Sequence, residues 1–340
     1  MKAAQLCIGA VIAASAVTAA QAAPGLQTVV GGVAGRGNGS IALGCTTFGP
    51  APELSFYSFN GGGTPLGGIG TCGYIGGYTT QTAVAAPLIR GSSLGPVPIA
   101  SPANGSQFTG TADARSSYGA LGAGAHGLMS VVPDQGSLAL HQMTGAARFA
   151  DTLTASSALV VAGSAGSVRY RFAVDGSLSA IGAQAPFFFG ETYIVLDVKH
   201  GVGATEQLLN ATVRRGSVGT ISGNPPPAGW VTGPGTLSGG STFLSRDYPI
   251  TWGQAWDVEV GLLAWAYGTA DSSFLSTARL TGFDLFDAAH LPVATFGISA
   301  VSGTDYINAV PEPQSWALLL AGLVWVGGLA RKHFLERGTR

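Results

Sequence analysis

Apolar and polar side chains alternate along the second half of the chain. From Val168 to Val174 the even positions are apolar and the odd positions are mostly polar. This period of two predicts a strand with one buried face and one solvated face. The Asp175-Gly176 pair that follows predicts a turn. Strands are expected in the same way over 168–175, 192–198, 251–267, 279–287 and 294–300.

The segment 251–267 is the longest strand prediction, and Gly261 leaves open a hairpin with a bend at that residue. No amphipathic helix of ten or more residues is expected. A chain of many strands joined by Gly/Pro-containing turns indicates an all-β protein. We therefore expect an antiparallel β-sandwich, jelly-roll-like in its arrangement, because each strand must bury one face against a second layer.

Residues 23–125 are rich in glycine, proline and serine. Glycine makes up 53 of the 340 residues and charged residues only 10%, against a usual glycine share of about 7%. The only charged side chains between Ala23 and Gly110 are Arg36, Glu53 and Arg90. This part is expected to contain loops and short strands, or to be partly ordered.

The N-terminus has the layout of a secretory signal peptide. A basic start is followed by an apolar run over 6–17 and by small residues before Ala22 and Ala23. This arrangement predicts cleavage between Ala22 and Ala23 by signal peptidase. The alternative is an uncleaved membrane anchor, for which the run is short.

Export bears on the cysteines. Cys7 leaves with the signal peptide, so that Cys45 and Cys72 remain as a pair in a compartment that permits disulfides. We expect them to be bonded to each other. The alternative of a metal site has only two cysteines without nearby histidines to support it.

The C-terminus carries a second membrane signal. Pro311, Glu312 and Pro313 precede an apolar stretch from Trp316 to Ala330, and a basic pair follows at Arg331 and Lys332. This stretch is about 22 Å long as a helix and is marginal for a bilayer core of about 30 Å. The basic end is expected to stay in the cytoplasm.

This tail resembles the PEP-CTERM sorting signal. The matching letters are V-P-E-P-Q-S-W-A-L-L-L-A-G-L from Val310 and A-R-K from Ala330, although the chain continues past the usual basic end from Phe334 to Arg340. The resemblance implies an inner-membrane intermediate in a Gram-negative host that makes exopolysaccharide. It also implies processing by an exosortase near the Pro-Glu-Pro motif, followed by display at the cell surface or secretion into the biofilm matrix.

The exported part is also similar to those of other PEP-CTERM proteins of unknown function. The shared phrases are V-R-Y-R-F-A-V-D-G-S-L-S from Val168, L-T-G-F-D-L-F-D from Leu280 and S-G-T-D-Y from Ser302. This likeness implies a β-sandwich and no assigned chemistry. The expected organisation is a signal peptide over 1–22, a Gly-rich part over 23–125, a sandwich over 126–309 and a sorting signal over 310–340.

Charge excludes one class of partner. The part from Ala23 to Ala309 has 11 basic and 15 acidic residues, a net charge of −4, and Lys199 is its only lysine. A phosphate-binding surface needs clustered Lys and Arg, so no nucleic-acid partner is expected.

The polysaccharide hypotheses depend on the segment 251–267. On one strand Trp265 and Tyr267 would share a face and could form an exposed aromatic platform for sugar rings, although they could equally be core. Asp257 and Glu259 would also share a face, as a carboxylate pair of the kind that glycosidases use. The simpler interpretation of that pair is the solvated face of a strand.

Metal and catalytic sites have weaker support. Asp284, Asp287 and Asp305 could help to hold calcium, but no EF-hand or repeat motif accompanies them. The histidines lack metal-site spacing and are expected on the surface or in loops, at His126, His141, His200 and His290. No complete catalytic set is found, so no catalytic residue, metal site or required cofactor is assigned.

The leading hypothesis is therefore a non-enzymatic surface or matrix protein associated with exopolysaccharide. The first alternative is a carbohydrate-binding module that uses Trp265 and Tyr267. The second is a glycan-active hydrolase that uses Asp257 and Glu259.

Overall fold

A computed structural model describes residues 23–36, 74–98, 107–130, 139–180, 190–225 and 227–307. These residues form sixteen strands, and no helix occurs among them. The strands are β1 (Gly25–Arg36), β2 (Tyr74–Ala83), β3 (Leu88–Pro98), β4 (Gln107–Ser117), β5 (Ala120–Met129), β6 (Ala139–Ser156), β7 (Ala165–Ser179), β8 (Glu191–His200), β9 (Glu206–Arg214), β10 (Thr220–Gly223), β11 (Trp230–Gly233), β12 (Thr236–Leu244), β13 (Tyr248–Thr251), β14 (Ala255–Tyr267), β15 (Ala270–Phe286) and β16 (Gly297–Ala300).

The strands form two antiparallel sheets. Sheet A has the order β10-β9-β8-β14-β6-β1-β2, and β16 also pairs with β6. Sheet B has the order β11-β12-β7-β15-β5-β4-β3, and β13 also pairs with β7. The chain passes repeatedly from one sheet to the other, for example from β5 to β6 and from β6 to β7. The predicted all-β class is confirmed, and the two sheets are consistent with a sandwich.

One apolar core lies between the sheets. Sheet B contributes the even positions of β7, including Tyr170 and Phe172, and sheet A contributes the even positions of β14, including Trp256 and Val260. The backbones approach closely because glycine stands at selected points. A Cβ atom added to Gly145 of β6 would lie 2.3 Å from a backbone oxygen of β4. The glycine-rich composition therefore serves close packing of the sheets as well as turns.

Strands occur in the predicted segments, but their first and last residues differ from those expected. The segment 168–175 lies within β7, 192–198 within β8, and 279–287 overlaps β15. Within 251–267, β14 runs without interruption through Gly261, so the alternative hairpin is wrong. The turn predicted at Asp175-Gly176 is also wrong, because β7 continues to Ser179. Gly176 lies beneath Phe274, whose ring would be 2.4 Å from an added Cβ atom.

The described parts of the Gly-rich region belong to the same two sheets. β1 pairs with β6 in sheet A, and β5 pairs with β15 in sheet B. The strands of this region have 10 to 12 residues and are longer than the short strands expected. The boundary expected between residues 125 and 126 falls within β5.

Several predicted features lie outside the described residues, although Ala23 is included. They are Ala22, Cys45, Cys72, the motif Pro311-Glu312-Pro313, the stretch from Trp316 to Ala330, and the pair Arg331-Lys332. In the parts of the chain that are described, no helix is long and apolar enough to span a membrane.

Candidate functional site

The outer face of sheet A, which points away from the core, carries the predicted site residues. Along β14 the odd positions Asp257, Glu259, Trp265 and Tyr267 point to this face, while the even positions enter the core. β8 and β6 flank β14 in register, so that Trp265 lies between Tyr193 and Thr144 of these strands. The face is therefore built by three central strands.

An aromatic row crosses one end of this face and consists of Tyr78, Tyr193, Trp265 and Tyr267. The Trp265 ring centroid is 5.1 Å from that of Tyr193 and 5.7 Å from that of Tyr267, with the latter pair stacked. Gln142 orients the row. Its side chain accepts a hydrogen bond from the Trp265 indole nitrogen at 3.1 Å and donates one to the Tyr78 hydroxyl at 2.8 Å.

The aromatic row differs from the exposed Trp265–Tyr267 platform that the sequence suggested. Trp265 is only 7% exposed, whereas Tyr78, Tyr193 and Tyr267 are half-buried. The indole is the packed centre of the row, and the three tyrosines present its accessible ring surface. An apolar strip continues from the row along β14 and its neighbours, at Val29, Ala146, Val195 and Leu263.

A charged depression lies at the other end of the apolar strip. It is shallow and open to solvent, and its polar lining consists of Arg148, Asp197, Lys199, Thr205 and Glu259. Trp265 lies six positions beyond Glu259 along β14, or roughly 20 Å at about 3.4 Å per residue. The aromatic row and the charged depression thus form the two ends of one elongated surface.

Ion pairs organise the depression. The Arg148 guanidinium donates a hydrogen bond to the Glu259 carboxylate, and the Lys199 ammonium lies 3.9 Å from the other Glu259 oxygen. Burial lowers the pKa of Arg148 to about 10, and the nearby Glu259 opposes this shift, so that the guanidinium stays charged at neutral pH.

Asp197 has a different environment in the same depression. It is 8% exposed, and burial raises its pKa from 3.8 to about 7. A β-bulge lies next to it, because Leu196 pairs with Leu209 whereas Asp197 pairs with Gln207. Bulges often redirect a side chain beside a functional site.

Asp257 lies outside the depression. Its carboxylate accepts a hydrogen bond of 2.6 Å from the Thr152 hydroxyl on the neighbouring strand. Asp257 and Glu259 share a face, as expected for alternate residues, but Glu259 faces Arg148, Lys199 and Asp197 in the depression. The carboxylate neighbour of Glu259 in this lining is therefore Asp197 and not Asp257.

The three aspartates considered for calcium have separate local partners. Asp284 forms an ion pair with Arg171. Asp287 accepts hydrogen bonds from two backbone amides of its own turn, each at 2.9 Å, and Asp305 accepts one from Ile307 at 3.0 Å. Among the residues that the structure describes, no group of three or more His, Cys, Asp or Glu side chains could hold a metal ion.

The histidines are not all on the surface. His126 and His290 are exposed, but His141 is 5% exposed within β6 and its ring lies 4.1 Å from that of Tyr267. His200 is half-buried at the end of β8 and bonds to the Tyr170 hydroxyl at 2.7 Å. Burial lowers the pKa of His141 to about 3 and of His200 to about 4, so both are neutral near pH 7.

Sequence reasoning missed the residues that β6, β8 and β2 bring to this face. Arg148, Asp197 and Lys199 meet Glu259 only because strands distant in sequence pair side by side. One signal was present, since Asp197 and Lys199 alternate with apolar residues in β8 as Asp257 and Glu259 do in β14.

Comparison of the chain with protein-family models, curated proteins and solved structures finds no significant match in any of the three.

Proposed function

We propose that this chain is an exported protein of a Gram-negative cell envelope that associates with exopolysaccharide at the cell surface or in the biofilm matrix. In this proposal signal peptidase and an exosortase process its two ends, and the inner membrane holds it through the helix Trp316–Ala330 before release. The proposed fold is a jelly-roll-like sandwich, which the repeated crossing of the chain between the sheets supports.

The observation that carries the polysaccharide part is the composition of the outer face of sheet A. Half-buried tyrosine rings lie at one end and fixed charged side chains at the other, on a surface roughly 20 Å long. Sugar rings offer apolar C–H faces that pack on aromatic rings and hydroxyl groups that require positioned polar partners. A surface that has aromatic rings at one end and positioned polar groups at the other suits an extended saccharide chain.

Association without cleavage is proposed because both carboxylates of the pair considered for catalysis, Asp257 and Glu259, are compensated by neighbouring side chains. Glu259 is neutralised by Arg148 and Lys199, and Asp257 is bonded to Thr152. A hydrolase needs a carboxylate that is available to activate water or attack the sugar. The net charge of −4 and the single lysine of the exported part also favour a ligand other than nucleic acid.

Binding to a panel of bacterial polysaccharides tests the ligand part of the proposal. Full-length protein in a detergent without a sugar headgroup should bind at least one of them. Tyr267→Ala should weaken that binding about tenfold, because loss of a stacking ring costs about 1.4 kcal/mol or more. Phe286→Ala is the matched control, since Phe286 is a half-buried ring that packs beside Arg169 of sheet B. Equal losses in the two variants, or no binding at all, would reject the proposal.

Intact-mass analysis tests the export part. Protein recovered from the envelope or medium of a host with an exosortase should begin at Ala23 and lack the stretch from Trp316 to Arg340. A C-terminus that stays intact in such cells would contradict exosortase processing.

A further inference from the structure

The Asp197 carboxyl group is buried in the charged depression without a bonding partner. Only 8% of the residue is exposed, and across the described ranges no hydrogen bond or ion pair of its carboxyl group occurs. The Asp197 oxygens are not among the fully buried, unpaired polar atoms of the described residues, so they open onto the depression. A carboxylate has acceptor oxygens only, and unpaired acceptors at the wall of a depression point to a ligand that brings hydrogen-bond donors.

The groups that face Asp197 limit the ligand. On the same face of β8, Lys199 is two residues away and Tyr193 is four residues away, beyond Val195. Glu259 faces Asp197 from β14, and Arg148 faces it from β6. On β9 it pairs with the neutral Gln207. Glu206, the neighbour of Gln207, accepts a hydrogen bond of 2.7 Å from the Tyr248 hydroxyl instead.

We propose that Asp197 selects the saccharide by accepting hydrogen bonds from two neighbouring hydroxyl groups of a neutral sugar unit that lies over the charged depression. This inference rests on the proposed function, because it assumes that the outer face of sheet A binds a saccharide.

The chemistry of the carboxyl group favours hydroxyl donors. An ionised carboxylate is an acceptor only, with two oxygens, and adjacent hydroxyl groups of a sugar supply two donors in a matching geometry. An acidic saccharide would instead bring its own carboxylate towards Asp197 and Glu259. A metal ion would require further ligands, and the described residues gather no group of three or more acidic, His or Cys side chains.

Proton release follows from the environment of Asp197. Burial raises its pKa from 3.8 to about 7 in the free protein. Hydrogen bonds from sugar hydroxyls favour the ionised form and lower that pKa again. Below pH 7 the free protein is protonated at Asp197 and the complex is ionised, so that affinity rises with pH by up to about tenfold per unit and levels off above pH 7.

Titration calorimetry of the full-length protein tests this inference. The probes are hexasaccharides of glucose, mannose and xylose, together with hexaguluronate as an acidic saccharide, in a detergent without a sugar headgroup. Measurements at pH 6 in two buffers of different ionisation enthalpy count the protons released. We expect close to one proton released per neutral saccharide bound, and an affinity about fivefold higher at pH 7 than at pH 6.

Two variants separate recognition from a merely structural role. Asp197→Asn should bind at least tenfold more weakly at pH 7.5, release no proton and lose the pH dependence. Asp175→Asn, which changes an exposed aspartate of sheet B, should behave as the unchanged protein does. The number of protons that the unchanged protein releases tests the role of Asp197 even if Asp197→Asn folds poorly.

The contrary outcomes are distinct. Saccharide binding without proton release, preference for hexaguluronate, or binding abolished by a chelator would overturn the role of Asp197 and leave polysaccharide association standing. Failure of every saccharide to bind would reject the proposed function itself, and the inference with it.

Discussion

Two buried aspartates on opposite faces of sheet A have opposite surroundings. Asp151 of β6 faces the core, is fully buried, and accepts hydrogen bonds from the Thr152 and Ser302 amides and from the Ser302 and Tyr306 hydroxyls. Asp197 of β8 is nearly as buried on the outer face and has no such donor in the described structure. A satisfied buried carboxylate stabilises the fold, whereas a carboxyl group that is partly removed from water and has no donor costs stability when it is ionised.

The Asp151 cluster explains one of the sequence motifs on which the resemblance to PEP-CTERM proteins is based. Ser302-Gly303-Thr304-Asp305-Tyr306 follows β16, which pairs with β6. The Tyr306 ring packs against Phe149 and Phe283, with centroids 6.4 Å and 6.2 Å away. This sequence motif therefore packs the last described segment against the core, and its Tyr306 bonds to Asp151, more than 150 residues earlier in the chain.

The largest effect is expected at Asp151. Asp151→Ala leaves the Tyr306 hydroxyl, the buried Thr152 amide and the part-buried Ser302 amide without this acceptor, so the free energy of unfolding should fall by about 5 kcal/mol. Urea unfolding of the two proteins at pH 7.5 measures the difference. Asp175→Ala, at an exposed site, should change it by less than about 0.5 kcal/mol. A loss below about 1 kcal/mol for Asp151→Ala would contradict the structural role of the cluster.

Asp197, in contrast to Asp151, should lower the stability of the folded protein as the pH rises towards neutrality. Its pKa is raised from 3.8 to about 7 on folding, so the folded state holds a proton that the unfolded state releases between these values. The stability of the unchanged protein should therefore fall between pH 4 and pH 7, by up to about 4 kcal/mol at about 1.4 kcal/mol per unit.

Asp197→Asn removes this dependence and should be the more stable protein above pH 7. Urea unfolding of both proteins at pH 4.5 and 7.5 isolates the contribution of Asp197, since every other titrating group is shared. A variant that is less stable than the unchanged protein at pH 7.5 would show that Asp197 has a stabilising partner.

A smaller effect is expected for one donor of the Asp151 cluster. Tyr306→Phe removes a single hydrogen bond of 2.8 Å to the carboxylate and should cost about 2 kcal/mol of unfolding free energy. Tyr118→Phe removes a tyrosine hydroxyl bond to the Val84 carbonyl at a more exposed site, and should cost less than about 1 kcal/mol. Thermal or urea unfolding ranks the two variants, and the reverse order would count against the special role of Tyr306.

The difference between the two aspartates also marks what the sequence could predict. Alternation of apolar and polar residues identified β7, β8, β14 and β15, because each exposes one face to the core and one away from it. It could not predict the continuation of β7 past Gly176, since the reason is the ring of Phe274 from another strand.

The site was predictable only in part. Trp265, Tyr267 and Glu259 could be placed on one face because they lie on one strand. Asp197 and Arg148 join them through strand pairing, and the register of that pairing depends on the bulge at Asp197 and on contacts across the whole sheet. The local alternation of apolar and polar residues contains no information on which strands pair or on the register of that pairing.

A crystal structure of the protein with the neutral hexasaccharide that binds most tightly tests the role of Asp197 directly. We expect the saccharide to lie along the outer face of sheet A, with a ring against Tyr267 and two hydroxyl groups within about 3.2 Å of the Asp197 carboxylate oxygens. A saccharide bound elsewhere, or bound on this face with Asp197 still unpartnered, would contradict it.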